Sequence, residues 1–451
     1  MTAKALDRFS LQAPAATLFV GLTSRILSDE TLDDIFRQHR ERQVESTILF
    51  SYLVRMLTPV VLGKERSVNL SHKDLGLTVS RQAIYDKLKG VEIPVSNALV
   101  KTTSGQIKQI YDVAGLKHKD IIPGYHTYIL DGKTFNATEH RLLESRTDAR
   151  CPMPARCMSL FDTRYQLFVD IEGDQNAFRC ERKILERMIP RLEKRAIYVA
   201  DRNFCDGNLL EGLIDAKACF VIRLHGVSPA RREIPSPKKK SVRRRPVSER
   251  YIEVQLPNRS WTKVRLITVR LNKKTRNGDL VLEIVTNLPR SVSCEVIANA
   301  YRNRWTIENA YGYISKCFNA EIQSLCYPAA ALLCFSLSLL LFNVVNTIMR
   351  LMTKYGKQPK SGPKIELSHY YIAAEISNCY EGLRIAVNKD VWQPILGLPL
   401  KDFATWLKQV AHNARLEKYK KNPRGPKKPP PKRKFSGARH VATQKLLDAR
   451  K

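Results

Sequence analysis

Apolar residues recur at helical spacing through the first 120 residues, in DDIFRQHRERQVESTILFSYLVRMLTPVVL and again in NALVKTTSGQIKQIYDVAG, which predicts an N-terminal helical domain over 1–120. Within it LGLTVSRQAIYDKLKG, residues 75–90, has a helix-turn-helix cadence: a glycine turn, Thr78 or Ser80 as helix cap, then an amphipathic helix. Ala83, Ile84 and Leu88 face inward on that helix and Arg81, Gln82, Tyr85 and Lys89 face outward. The pattern fits a packed helix with a solvated face, and equally a reading helix that presents Arg81 and Gln82 to DNA.

From 121 the period shortens. HTYILDG predicts a strand, RCMSLFDTRYQLFVDIEG a hairpin broken at Asp162-Thr163-Arg164, and AIYVAD and CFVIRLHG two more strands, alternating with helices over NAFRCERKILERMIPRLEK and GNLLEGLIDAK. The order β-β-β-α-β-α-β implies an α/β fold, a mixed sheet with helices on its faces. The Pro-punctuated basic run at 227–250 is too charged to bury. It reads as an exposed loop of a β-rich insertion subdomain, 227–287, whose strands are YIEVQL, WTKVRLITVRL and LVLEIVTNLP.

The core, begun over 121–226, resumes over 288–355 with one long helix, SCEVIANAYRNRWTIENAYGYISKCF, and a charge-free segment at 322–349. That segment is long enough to cross a bilayer. Gln323, Pro328, Asn343, Asn346 and several serines favour instead a helix buried on all sides within a domain. Residues 356–412 read as a C-terminal helical region and 413–451 as a basic, Pro-rich tail, disordered when free.

Charge narrows the partners. A net charge of +33 over 451 residues points to a polyanion, nucleic acid before membrane. Ten cysteines without a CxxC suit reduced thiols in a cytoplasmic compartment. Cys151, Cys157 and His140 match no common zinc spacing. The apolar run after Lys4 and Arg8 is short and interrupted at its start by Gln12 and Pro14, so no signal peptide is read there.

Asp131 closes the strand YILDG and Asp201 closes YVADRNF. If these strands are neighbours, both carboxylates leave one edge of the sheet, where α/β sheets place their ligands. Two acids a few ångströms apart repel by about 4 kcal/mol at an effective dielectric of about 20, so a site that keeps both needs a cation. Glu308, on the helix after the last strand, offers a third acid. Three oxygen donors suit magnesium or manganese, which keep waters and accept a phosphate oxygen as ligand. Two such ions about 3.5–4 Å apart can activate a hydroxyl and stabilise the leaving oxygen of an in-line displacement at phosphorus. The ordinary alternative for Asp131-Gly132 is a turn dipeptide. Asp162, Asp170, Asp174 and Asp206 read as turn or surface acids.

At this point the motifs resemble those of the DDE transposases of bacterial insertion sequences, which have a ribonuclease-H-like core. Their signature Y-(2)-R-(3)-E-(6)-K is met by Tyr301, Arg304 and Glu308 in YRNRWTIENAYGYISKCF. The lysine is displaced: Ser315 stands in its place and Lys316 follows, a step that turns a helical side chain by about 100°. LDGKTF at 130–135 and ADRNF at 200–204 resemble the settings of the two aspartates, and TNLP at 286–289 the segment before the glutamate. A β-rich insertion between second Asp and Glu is also a feature of this branch.

The resemblance implies Asp131, Asp201 and Glu308 as the catalytic triad, holding two Mg2+ or Mn2+ ions per active site. It implies Tyr301, Arg304 and Lys316 near DNA phosphate, and Arg202 either there or paired with a neighbouring acid. Trp261 reads first as an ordinary strand tryptophan and second as the aromatic residue that receives a flipped base. The implied partners are transposon ends and target DNA, with a homodimer in the synaptic complex, no membrane, and a bacterial cytoplasmic, nucleoid-associated location. Two rivals remain: a nuclease with the same core that cuts without joining, and an inactive transposase-derived repressor.

Overall fold

The chain opens with helices, seen here in a computed structural model that describes residues 2–75, 79–224, 226, 229–234, 246–275, 278–359, 363–423, 425 and 439–450. They are α1 (Thr2–Gln12), α2 (Pro14–Ile26), α3 (Asp29–His39), α4 (Phe50–Val61), α5 (Val68–Asp74), α6 (Arg81–Gly90) and α7 (Ile93–Ala114). Local chemistry sets their ends. Ser28 caps α3 by accepting from Thr31 N at 3.2 Å, with Asp29 and Glu30 in the first turn against the helix dipole. Gly115 closes α7 at φ 64°, a conformation that favours glycine.

The expected cap of α6 is Ser80, accepting from Ala83 N at 3.2 Å; Thr78 lies outside the described residues. Ile84 and Leu88 are buried and Arg81, Gln82 and Lys89 exposed, while Ala83 and Tyr85 are half-buried rather than fully inward and outward. Lys87 was not expected inside. It is buried because its stem crosses apolar surface to a carbonyl: Nζ donates to Val44 O at 2.8 Å and lies 4.7 Å from the Phe36 ring centre.

The sheet follows, through β1 (Thr127–Thr134), α8 (Leu143–Arg146), β2 (Cys151–Met153), β3 (Arg156–Asp162), β4 (Leu167–Asp174), α9 (Glu181–Glu186), β5 (Ile197–Ala200), α10 (Gly207–Asp215) and β6 (Cys219–Arg223). It continues through β7 (Arg231–Glu233), β8 (Val247–Gln255), β9 (Trp261–Arg270) and β10 (Val281–Thr286), in the spatial order β4-β3-β1-β5-β6-β10-β9-β8-β7. β1 runs antiparallel to β3 and parallel to β5, which is parallel to β6. The mixed α/β sheet expected from the sequence is therefore in place. The helix expected over 176–194 is cut to α9 and a 3-10 turn at Ile189–Arg191, where Pro190 removes an amide donor. The strands of 247–286 do not stand apart, since β10 pairs with both β6 and β9 and extends the core sheet. Residues 227, 228 and 235–245 of the basic run lie outside the described residues.

The long helix expected over 293–318 is two, α11 (Cys294–Arg302) and α12 (Trp305–Cys317). The break falls at Asn303, whose backbone N–H is shared between Asn299 O at 3.2 Å and Ala300 O at 3.1 Å while its side-chain amide also donates to Asn299 O at 2.9 Å. Next comes α13 (Pro328–Tyr355), whose most apolar window is 94% buried against its surroundings, so the buried-helix reading of this segment is what the structure shows. Its asparagines are clips. Asn343 accepts from Phe168 N at 2.8 Å and donates to Phe168 O at 2.7 Å, satisfying backbone of β4 at the edge of the sheet.

α14 (His369–Ala386), α15 (Lys389–Leu396) and α16 (Leu400–His412) complete a core shared with the N-terminal helices and the sheet. Part of the tail expected to be disordered is ordered. β11 (His440–Ala442) pairs in parallel with β2, α17 (Thr443–Asp448) follows, and Arg450 Nη1 meets Glu144 Oε1 at 2.7 Å. Residues 424 and 426–438 lie outside the described residues.

Three acids expected at turns or on the surface are buried instead. Asp170 pairs with Arg191 at 2.6 Å and Asp174 with Arg187 at 3.0 Å, while Asp162 is wholly enclosed, 2.7 Å from Lys108 Nζ and 2.9 Å from His126 Nε2. Asp206 is a cap, accepting from Asn208 N at 2.8 Å at the start of α10. Burial works against the Asp162 carboxylate, but His126 and Lys108 outweigh it and hold its pKa below the ordinary value. Asp162→Asn leaves Lys108 beside a neutral amide and should cost about 2–4 kcal/mol, less than a fully enclosed pair because Lys108 reaches water; thermal unfolding checks this. The folded carboxyl titrates below its unfolded value of about 3.9. Its stabilisation is therefore complete above that pH and is lost as pH falls through the folded value, a component of acid unfolding that the variant should lack.

Candidate active site

β1 and β5 lie side by side with Thr127–Ile129 in register with Ile197–Val199. Asp131 and Asp201 each stand two residues beyond the last register pair, Ile129 and Val199. With a side-chain period of two, the two acids belong to the same face of adjacent parallel strands; Asp201 ends β5, but β1 does not close or turn at Asp131-Gly132 as expected and runs on to Thr134, with Asp131 opposite Ser159 of β3, because the β3 partner continues beyond the stretch that β5 covers. β5 is buried throughout, and the chain turns where Asp201 Oδ1 accepts from Arg202 N at 2.7 Å. Asp131 Oδ1 accepts from Gly132 N at 3.0 Å, and Tyr311 donates its hydroxyl to the Asp131 carbonyl at 3.4 Å.

The α11–α12 break delivers the rest. Tyr301, 6% exposed, donates its hydroxyl to Asp201 Oδ1 at 3.4 Å. Burial first, and then the charge of Asp201, push that phenol up to about 12, so it is a neutral donor at ordinary pH. Arg304, also 6% exposed, meets Glu308 Oε1 through Nη1 at 2.7 Å, and its Nε has no hydrogen-bond partner. Burial pulls the pKa of this guanidinium down, but Tyr301, Asp201 and Glu308 raise it on balance. Burial pushes the Asp131 carboxyl up to about 7, with the charges of Glu308 and Glu181 adding and those of Arg304 and the Gly132 N–H opposing. Arg304 thus pairs directly with Glu308 and lies within electrostatic reach of Asp131 and Asp201.

Three carboxylates are the donor type that hard divalent cations take, and the half-buried Asp131 is poorly compensated without more positive charge. The set fits such an ion in kind. In spacing, Glu308 is committed to Arg304, and among the described residues no three His, Cys, Asp or Glu side chains stand close enough to hold an ion as placed.

The residues expected near phosphate are placed unequally. Arg202 is half-buried, and among the described residues no carboxylate pairs with it. Arg304 faces inward to the acids rather than outward. Lys316 and Ser315 are both exposed on α12, and Lys316 stands eight residues after Glu308, turned from it by about 80°. Lys133, on the Asp131 face of β1, is held by Glu321 at 2.9 Å. Trp261 is half-buried, with Arg232 4.5 Å over its ring. The aromatic residue that is open beside the site is Trp305, 58% exposed and 5.4 Å from the Arg304 guanidinium. Its signal was present in the sequence as the residue directly after the signature arginine.

The family model for the transposase DDE domain matches residues 123–343, a span that holds all three acids. No curated protein matches the chain.

Proposed function

The chain carries the DDE domain of a transposase, and on that premise we propose that it binds the terminal inverted repeats of an insertion sequence and catalyses metal-dependent DNA strand cleavage and strand transfer. The observation that carries this reading is the register: Asp131 and Asp201 at equivalent positions past paired parallel strands, with Glu308 brought to them by α12. Asp131, Asp201 and Glu308 would hold two Mg2+ or Mn2+ ions, which supply an activated oxygen nucleophile and neutralise charge developing at phosphorus.

The chain's own residues do the positioning. Tyr301 steadies Asp201, and Arg304 keeps Glu308 facing the aspartates. Arg202 and Lys316 supply positive charge to phosphate, the arginine with a fork that binds two oxygens. Trp305 offers an open ring face on which an unpaired base can stack. Two copies pair the ends, and the protein acts on nucleoid DNA in the bacterial cytoplasm.

End recognition is assigned to α6, which leaves Arg81 and Gln82 exposed at its first turn behind α5. On a duplex carrying the inverted repeats that flank its gene, Arg81→Ala should weaken binding and lower the slope of log affinity against log salt by about one. Fluorescence anisotropy at several salt concentrations reads both quantities. Unchanged affinity and slope would remove α6 from the interface.

A further inference from the structure

The connection between β1 and β2 ties the strand of Asp131 to α6. Lys133, two residues past Asp131, meets Glu321 Oε1 at 2.9 Å, and the same carboxylate accepts from Asn136 N. Phe135 is buried against Phe335 of α13, their ring centres 4.7 Å apart. Glu139 N then donates to Gln323 O at 3.0 Å, and Cys326 Sγ donates to Glu139 O at 3.1 Å. Tyr327, next in the chain after Cys326, has Lys89 of α6 5.1 Å over its ring. Residues 133–139 are thus pinned, step by step, to a segment that reaches α6.

Arg81, Tyr85 and Lys89 recur every four residues and so share one side of α6. Burial raises the pKa of the half-buried Tyr85 phenol, and the charges of Arg141 and Arg81 both oppose that shift, so both guanidiniums lie near it. The Arg141 side chain is 61% exposed, and its partner at 2.5 Å is Glu139, itself 46% exposed. An exposed pair of this kind is worth little and yields to a phosphate, which an arginine binds through two N–H groups. Its backbone is fixed, since Arg141 N donates to Glu139 O at 2.9 Å and Arg146 Nη2 donates to Arg141 O at 3.3 Å.

We propose that Arg141 contacts a phosphate of the DNA duplex between the stretch read by α6 and the end to be cut, so that the β1–β2 connection guides the duplex along the protein. The inference rests on α6 being the helix that reads the DNA.

Fluorescence anisotropy at several salt concentrations, on a duplex carrying the flanking inverted repeat, tests this. Arg141→Ala should weaken binding and lower the slope of log affinity against log salt by about one, as loss of one phosphate contact does. Arg141→Lys, which keeps the charge, should retain the slope. Glu139→Gln leaves the backbone bonds of residue 139 in place and releases the guanidinium, so it should bind at least as tightly as the wild type. Hydroxyl-radical footprinting locates the contact: Arg141→Ala should lose protection only between the positions that Arg81→Ala exposes and the end of the repeat. Thermal unfolding shows that the variants are folded. Wild-type slope and footprint in Arg141→Ala, with both altered in Arg81→Ala, overturn the role of Arg141 and leave α6 as the reading helix. Protection lost across the whole repeat in a folded Arg141→Ala overturns the placement of the contact. Wild-type binding by both alanine variants overturns the reading helix and the guide together.

Discussion

Asp201→Asn should bind the element's ends with wild-type affinity and lose strand cleavage by roughly 10³-fold or more, in magnesium and in manganese alike, since a charge–metal contact is worth several kcal/mol in the transition state. The substitution preserves shape. An asparagine oxygen can still accept from Arg202 N and from the Tyr301 hydroxyl, the two contacts that hold Asp201 in place. What disappears is the negative charge at the end of β5. A gel assay of cleaved ends beside an anisotropy titration separates the two effects. Cleavage at the wild-type rate would reduce Asp201 to the role Asp206 has, an acid that caps the turn of helix following it.

Arg304→Met should lower cleavage by about 10²-fold, the scale expected when a reacting group is misplaced by about an ångström, and should leave DNA affinity and its salt slope unchanged. The methionine stem fills the space between the Tyr301 and Trp305 rings, which lie 5.9 Å and 5.4 Å from the guanidinium. Glu308 loses its partner at 2.7 Å and is free to swing, being 35% exposed. An arginine that neutralised phosphate would behave differently: its loss would weaken binding and flatten the salt slope by about one. The same two assays used for Asp201→Asn distinguish these outcomes, and a flatter slope in Arg304→Met would return the residue to the DNA interface.

The strands that carry the aspartates were legible because a buried parallel strand reads as an apolar run and a carboxylate that interrupts it stands out; that Asp201 ends β5 while β1 runs on past Asp131 to Thr134 was not, since the continuation depends on pairing with β3. Glu308 needed the signature spacing as well, since the helical segment 293–318 also carries Glu295 and periodicity alone does not choose between them. The inward turn of Arg304 was hidden: it sits at the helix break after Asn303, where helical periodicity no longer says which way a side chain faces. Asp162 looked like the polar tip of a hairpin because nothing local announces that Lys108, from α7, closes over it. The strands of the insertion were readable one by one, but their joining the core sheet depends on β10 meeting β6, a pairing across some 60 residues that spacing does not encode.

The most direct test of the whole account is strand transfer. A duplex ending in the flanking inverted repeat, incubated with the protein, magnesium and a supercoiled plasmid, should yield plasmid with the duplex joined through its 3′-hydroxyl. Cleavage and joining should vanish together in Asp131→Asn, Asp201→Asn and Glu308→Gln. Ends that are cut but never joined would make the protein a nuclease, and joining that survives these substitutions would contradict the site itself.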